Sequence, residues 1–179
     1  KVNFKFWDRF MQTEKFPPKE MWIDKLPNRM ALKVMLENQA GAIKAVDSAL
    51  EEIEKASEAI YNKLKENLNS RLMYVGAGTS ARIGFQDGAE LLPTFGWPKK
   101  RVAYLIAGGF KALTEAVENA EDNVLDTKRL VDGIKITSSD VVIALSASGT
   151  TPFTISVVNE ANKRNVLTIG IGNNYGAKL

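Results

Sequence analysis

Residues 74–97 read YVGAGTSARIGFQDGAELLPTFGW, and this stretch decides the fold. A short apolar strand enters a glycine-rich turn, and the turn leads into a helix that we predict over Ser80–Leu92 and expect Pro93 to end. Such a turn binds anions, because the unpaired N–H groups of the helix start carry the positive end of the helix dipole. The helix also carries two carboxyl groups, Asp87 and Glu90. This combination indicates chemistry on a phosphorylated small molecule.

The carboxyl-terminal two thirds of the chain repeat this strand–turn–helix unit. Strands are predicted over Arg71–Val75, Val102–Ile106, Val141–Leu145 and Val166–Ile171. The further helices are predicted over Lys111–Asn119, Val124–Val131 and Pro152–Arg164. Alternating strands and helices indicate an α/β fold with a parallel sheet covered on both faces. In a flavodoxin-like strand order the first and third strands are neighbours, so the loops after them are expected to contact one ligand.

The amino-terminal part has a different character. Residues 1–28 are rich in aromatic residues and proline without periodicity, which predicts an arm packed on the body or on a second subunit. From Arg29 to Asn69 apolar residues recur at helical spacing, and Gly41 is expected to separate a shorter from a longer helix. The predicted organisation is therefore an arm over 1–28 and one α/β domain over 29–179.

The composition excludes several kinds of chemistry. The 179 residues contain no cysteine and no histidine, so a disulfide, a thiolate nucleophile, a Cys/His zinc site and a Ser-His-Asp triad cannot form among them. Acid–base chemistry must use Asp, Glu, Lys or Tyr. The net charge is only +3 and Lys99-Lys100-Arg101 is the single basic run, which does not favour a nucleic-acid partner. Without a long apolar run or a visible leader, we expect a cytoplasmic protein that does not enter a membrane.

The first loop, residues 76–81, matches the dinucleotide pattern G-x-G-x-x-G/A. A dinucleotide site also requires an acidic residue about twenty positions later to bind the ribose. Position 96 is glycine, so a bound NAD is not favoured. The hydroxyl groups of Thr79 and Ser80 lie beside the helix start, where they suit an anion or a sugar hydroxyl.

The second loop is the strongest anion-binding signal in the chain. Ser146, Ser148, Thr150 and Thr151 surround Gly149 immediately before a helix with proline in its first turn. An ordinary helix cap uses one such hydroxyl and leaves the others unexplained. We therefore predict a phosphate site here, with contacts from Ser146, Ser148, Gly149 and Thr151.

Two glutamates are candidates for proton transfer. Apolar residues follow Glu90, and an apolar setting would favour the neutral, proton-donating form of its carboxyl group. An ion pair at the surface is the alternative. Glu121 lies in an acidic run that spacing alone would explain as a solvated helix face.

Four stretches together resemble the N-acetylmuramic acid 6-phosphate etherase family: GAGTSARIG (76–84), DGAELLPTFG (87–96), LIAGG (105–109) and AVENAED (116–122). The second loop resembles the phosphosugar loop of the wider sugar isomerase (SIS) superfamily. The resemblance extends from about Thr13 to Asn174. Compared with the family pattern, Ser146 replaces Ala, Thr150 replaces Arg, Leu91-Leu92 replace Cys-Pro and Asn119 replaces Gly. The family's carboxyl-terminal half is not part of this sequence.

The resemblance implies a three-layer flavodoxin-like fold, a homodimer and a phosphorylated amino sugar as substrate. It also implies cleavage of the lactyl ether of N-acetylmuramic acid 6-phosphate, which needs no metal ion or other cofactor. The family's catalytic glutamates correspond to Glu90 and Glu121. Two alternatives stay open: a sugar-phosphate-binding regulator like the glucokinase regulatory proteins, and a phosphosugar isomerase, although such isomerases often use a histidine for ring opening.

Overall fold

The structure is a computed structural model that describes residues 13, 15–16, 18–19, 22–124 and 127–179. Most of the predicted aromatic arm therefore lies outside the described residues, and its boundary at residue 28 stays a prediction. The described residues form two compact units. The larger contains residues 60–179 together with Thr13, and the smaller lies within Glu14–Ala59.

The smaller unit consists of a 3₁₀ turn, Ile23–Lys25, the helix α1 (Asn28–Asp47) and the first turns of α2 (Leu50–Glu66). The prediction that Gly41 separates two helices is wrong, because α1 continues through it. A single glycine in a helix costs only about 1 kcal/mol relative to alanine, which the surrounding helix formers tolerate. The break lies instead at Ser48, whose hydroxyl donates to the carbonyl of Ala45 at 2.8 Å.

The larger unit is built on a parallel sheet of four strands, each close to its predicted position. They are β1 (Leu72–Gly76), β2 (Val102–Ile106), β3 (Val141–Leu145) and β4 (Leu167–Ile171), in the spatial order β2-β1-β3-β4. The helices are α3 (Gly78–Phe95), α4 (Thr127–Gly133) and α5 (Pro152–Asn162). The predicted flavodoxin-like α/β fold, with β1 and β3 as neighbours, is confirmed.

Alternate residues of the central strands face opposite helical layers. Met73 and Val75 are fully buried in a cluster with residues of α4 and α5, among them Val131 and Val157. Leu72 and Tyr74 belong to the opposite cluster with Leu64, at the end of α2. Side chains of a strand alternate with a period of two, so this pattern requires a three-layer arrangement of helix, sheet and helix.

Helix α3 lies close to the sheet because small residues face it. Ala81, Gly84 and Gly88 are its buried residues. A Cβ atom on Gly88 would lie 2.7 Å from the hydroxyl oxygen of Tyr104 and 2.8 Å from a ring carbon of Tyr74. The two tyrosine rings therefore occupy the space that a larger residue at 88 would need.

Pro93 does not end α3, contrary to the prediction. The helix continues to Phe95 and is closed by Gly96, whose φ of 67° is left-handed. The N–H of Gly96 donates to the carbonyl of Leu92, which is the bond of an αL cap, and the N–H of Trp97 donates to the carbonyl of Leu91. Pro93 deprives the carbonyl of Ala89 of its helical donor, but Ala89 is exposed, so water can satisfy that oxygen.

A partly buried ion pair between Arg71 and Asp140 fixes the end of the sheet opposite to the two predicted ligand loops. Asp140 is 2% exposed and accepts hydrogen bonds from the guanidinium of Arg71, with the shortest at 2.8 Å. Burial opposes ionisation of Asp140, but the hydrogen bonds from Arg71 and from the backbone of Thr137 outweigh it, so the pKa of Asp140 lies below its ordinary value.

Within the described ranges, no helix has the length and apolar character that a bilayer span requires.

Candidate active site

The two predicted ligand loops begin side by side. Gly76, the last residue of β1, pairs in register with Leu145, the last residue of β3. A Cβ atom on Gly76 would lie 3.0 Å from the carbonyl oxygen of Leu145. The loop of residues 76–81 and the loop of residues 146–151, which we call the hydroxyl loop, therefore leave the same edge of the sheet from adjacent strands. This edge is where ligands bind in open parallel α/β sheets.

The side chains of the hydroxyl loop bond to one another. Ser146 is 3% exposed, lies 2.8 Å from the hydroxyl of Thr151 and accepts the N–H of Gly149 at 3.0 Å. The hydroxyl of Ser148 accepts from the N–H and hydroxyl of Thr150 at 3.2 and 3.0 Å. These bonds fix the loop before any ligand arrives.

The start of α5 is left without a side-chain cap. Thr151 occupies the cap position, but its side chain makes no cap hydrogen bond and bonds to Ser146 instead. The first-turn N–H groups of a helix have no partner within the helix, so an uncapped start offers donors to an anion. The phosphate site itself stays a prediction.

Gly149 is required by both conformation and packing. Its φ is 68°, in the left-handed region. A Cβ atom there would lie 2.4 Å from the Cβ of Ala177, because the segment after β4 crosses the loop. That segment is held by the N–H of Leu179, which donates to the Gly149 carbonyl at 3.0 Å, and by the N–H of Asn173, which donates to the Ala147 carbonyl at 2.9 Å.

Thr79 and Ser80 lie in the first turn of α3, where Thr79 is exposed and Ser80 half-buried. Ala77 precedes the helix and supplies no side-chain cap, so this helix start also presents backbone donors at the carboxyl edge of the sheet. The structure places both predicted residues at the same edge as the hydroxyl loop.

The segment after β2 differs from the prediction. The helix predicted over Lys111–Asn119 is only a 3₁₀ turn, Phe110–Leu113. Tertiary contacts hold this segment: the guanidinium of Arg82 donates to the carbonyl of Ala112, within the turn, at 3.1 Å and to the carbonyl of Glu115, after it, at 3.2 Å. The segment then folds back over the end of β2, since a Cβ atom on Gly108 would lie 3.0 Å from the side chain of Val117.

This fold-back places Glu121 near the carboxyl edge. Glu121 is exposed in a 3₁₀ turn, Ala120–Asp122, which follows Asn119. Asn119 has a φ of 58°, a left-handed conformation that glycine and asparagine adopt most readily. This explains how asparagine replaces the glycine of the family pattern at this position.

A cavity of about 650 Å³ opens beside β2 at this edge. Its lining is mostly apolar and includes Ile106 and Phe153, and Glu118 and Asn119 supply polar groups. The volume lies within the range of small-molecule sites. The sequence interpretation assigned no role to Glu118, because in the acidic run 115–122 nothing separates it from its solvated neighbours.

Glu90 lies far from these loops within its own chain. It follows the start of α3 at Gly78 by twelve residues, which corresponds to about 18 Å along a helix. The next residue, Leu91, packs against the cluster of Leu64 and Leu72 near the opposite edge of the sheet. The expected apolar setting is wrong for this chain alone: Glu90 is exposed.

Asp87, the other carboxyl group of α3, has a structural partner. The Tyr74 hydroxyl donates to it at 2.5 Å. Burial, together with this hydrogen bond and the charge of Asp87, raises the pKa of Tyr74 above its ordinary value. Asp87 therefore anchors α3 to β1.

Comparison with known proteins agrees with the fold. The family model of the glucokinase regulatory protein N-terminal SIS domain matches residues 52–162. The chain belongs to this SIS-domain family.

Curated relatives of the chain include N-acetylmuramic acid 6-phosphate etherases. The chain is 40% identical to an N-acetylmuramic acid 6-phosphate etherase from Deinococcus radiodurans over 168 residues, which cover 94% of this chain and 54% of the relative. An etherase from Clostridium acetobutylicum is 39% identical over 94% of this chain and 55% of its own length. The predicted resemblance to etherases is confirmed, and the chain spans about half the length of the curated relatives it matches.

A solved structure supports the fold independently. A phosphoheptose isomerase from Francisella tularensis superimposes with a TM-score of 0.57 at 20% identity, covering 79% of this chain and 75% of the isomerase. At this identity the similarity concerns the SIS fold alone.

Proposed function

We propose that the full-length protein cleaves the D-lactyl ether of N-acetylmuramic acid 6-phosphate, releasing N-acetylglucosamine 6-phosphate and D-lactate. The observation that carries this proposal is the 40% identity to an etherase over 94% of the chain. That span contains the hydroxyl loop, Glu90 and Glu121. The uncapped start of α5 and the preformed hydroxyl loop support a phosphorylated ligand.

The phosphate binds at the hydroxyl loop in this proposal, with Ser146, Ser148, Gly149 and Thr151 around it. Thr79 and Ser80, at the start of α3, contact the sugar or share the phosphate. Both helix starts point their backbone donors toward the same edge, so their dipoles act together on one anion.

The chemistry is an elimination followed by addition of water. In the open-chain sugar the proton on C2 is acidic, because it lies next to the aldehyde carbon. A carboxylate base removes that proton, the C3–O bond breaks, and the departing lactate oxygen receives a proton from a carboxyl group. Water then adds across the C2–C3 double bond. Glu90 serves as the acid and base toward lactate, and Glu121 is its partner.

A homodimer is part of the same proposal. Glu90 lies about 18 Å along α3 from the loops of its own chain, whereas Glu121 lies near the carboxyl edge. Ile83 lies seven residues before Glu90, on the same face of α3, and leaves an apolar side chain exposed at 59%. A second copy packed on this face would cover Ile83 and bring its own Glu90 toward the first copy's loops.

The dimer proposal predicts complementation between two inactive variants. A mixed dimer of Glu90→Gln and Glu121→Gln has one site with both glutamates intact. Random pairing in a two-fold dimer then restores about a quarter of wild-type activity. Mixtures that stay inactive after dissociation and reassociation would refute the shared site.

We also place the protein in the cytoplasm, because a phosphorylated sugar carries a charge that does not cross a bilayer unaided.

A sugar-phosphate-binding regulator is the second candidate, and the family match to a regulatory protein's SIS domain favours it. A regulator needs the two loops but not the two glutamates. The experiment that separates the candidates incubates the full-length protein with N-acetylmuramic acid 6-phosphate and measures both binding and released D-lactate. Binding with release supports the etherase. Tight binding without release supports the regulator.

A further inference from the structure

A single buried amide joins the hydroxyl loop to the amino-terminal segment. Asn174, in the segment after β4, is 8% exposed. Its Nδ2 donates to the carbonyl of Ser148 at 3.0 Å and to the hydroxyl of Thr13 at 2.8 Å. Its Oδ1 accepts the N–H of Thr13 at 3.2 Å. The side chain therefore makes two hydrogen bonds to Thr13, 161 positions away in sequence, and a third to Ser148 in the hydroxyl loop.

The bonds act on the part of the loop that would bind phosphate. The Ser148 carbonyl precedes the left-handed Gly149, and the Ser148 hydroxyl accepts from Thr150. Holding that carbonyl fixes the orientation of its own peptide group, whose N–H belongs to Gly149 and donates to the hydroxyl of Ser146. Loop donors that are held in place before binding lose less conformational entropy when an anion arrives.

We propose that Asn174 is a positioning residue for the hydroxyl loop and that its tie to Thr13 sets the affinity of the site for phosphate. The proposal rests on the proposed function only in taking the hydroxyl loop as the phosphate site. It gives the amino-terminal segment a functional role through Thr13. Asn174 does not have to touch the ligand.

The first experiment titrates the full-length protein with inorganic phosphate by calorimetry. Asn174→Ala removes all three bonds, and we expect it to weaken phosphate binding about tenfold. Asn173→Ala is the matched control. Asn173 is also an asparagine, but its side chain is exposed, and it is attached to the loop through its backbone N–H, which alanine keeps. It should change the affinity by less than about twofold. Equal affinities for Asn174→Ala and the wild type overturn the proposal.

Variants of Thr13 test the hydrogen bonds between Thr13 and Asn174, and they can be measured even if the Asn174→Ala protein does not fold. Thr13→Val removes the hydroxyl acceptor and should weaken phosphate binding several-fold, whereas Thr13→Ser keeps the hydroxyl and should retain affinity. The double variant Thr13→Val, Asn174→Ala should bind no more weakly than Asn174→Ala alone, because both changes break the same tie. Full additivity, or wild-type affinity in Thr13→Val, overturns the role of Thr13.

Turnover measurements distinguish positioning from general destabilisation. With N-acetylmuramic acid 6-phosphate as substrate, Asn174→Ala should raise KM more than it lowers kcat, at a temperature where the variant is fully folded. A drop in kcat with unchanged KM contradicts positioning of the phosphate. Because the phosphate titration does not require turnover, a protein that binds phosphate as predicted but releases no lactate refutes the etherase proposal and leaves this one intact.

Discussion

Replacing Gly149 with alanine tests the packing of the hydroxyl loop. Two effects add at this position. An L-residue at a φ of 68° loses about 1–2 kcal/mol to left-handed strain. The new Cβ also lies 2.4 Å from the Cβ of Ala177, and the backbone shift that relieves such an overlap costs about 1–3 kcal/mol. We therefore expect Gly149→Ala to lower the free energy of unfolding by about 2–5 kcal/mol and to weaken phosphate binding.

Gly96→Ala separates the two effects. Gly96 has a φ of 67° and nothing within 4 Å of its Cβ position. Alanine at this position is therefore strained in the backbone but overlaps no neighbouring atom. Adding Ala177→Gly to Gly149→Ala removes the overlapping atom, and the next neighbours then lie at 3.8 and 3.9 Å, ordinary contact distances. Urea unfolding followed by tryptophan fluorescence measures all of these variants. A Gly149→Ala protein that is no less stable than Gly96→Ala, or that Ala177→Gly does not rescue, would refute the packing of residue 177 on the loop.

Four further predictions concern stability and binding. Gly88→Ala should lower the free energy of unfolding by about 1–3 kcal/mol, because its Cβ would overlap the rings of Tyr74 and Tyr104; in exposed α1, Gly41→Ala meets nothing within 4 Å and should raise that free energy by up to about 1 kcal/mol. Asp140 has a folded-state pKa below its ordinary value of 3.8, so its stabilisation is present above that pH and is lost as the pH falls through the folded pKa; acid titration of unfolding should show this loss, and Asp140→Asn should remove it. Ser146→Ala should weaken inorganic phosphate binding about tenfold by removing a buried loop hydroxyl, and unchanged calorimetric affinity would count against the phosphate site.

Most of the sheet could be predicted because its strands are short apolar runs between turn residues. The position of each strand depends on local composition, and the pairing of β1 with β3 follows from the flavodoxin-like strand order. The helix predicted over Lys111–Asn119 failed because hydrogen bonds from Arg82 to two carbonyls hold that segment in another conformation. Local propensity cannot reveal such a partner. The prediction that Pro93 ends α3 is wrong for a related reason. The effect of a proline in a helix depends on whether the carbonyl that loses its helical donor, here that of Ala89, can bond to water.

The candidate site also contains residues that could be predicted from local sequence and residues that could not. The hydroxyl loop could be recognised in the sequence, because its serine and threonine residues and Gly149 are close together in the chain, and its binding of phosphate stays a prediction. Asn174 gave no local signal, because its partner Thr13 lies 161 positions away. The burial expected for Glu90 was inferred from its sequence neighbours, but on a helix adjacent residues face different directions. Leu91 packs inward while Glu90 stays exposed.

The most direct test of the proposed function is D-lactate release from N-acetylmuramic acid 6-phosphate by the full-length protein, compared with its Glu90→Gln variant. We expect release by the wild type. We expect none above background from a Glu90→Gln protein that unfolds at the same urea concentration as the wild type and still binds phosphate. Unchanged turnover in Glu90→Gln would contradict the role of Glu90, and a wild type that binds the sugar phosphate without releasing lactate would contradict the etherase itself.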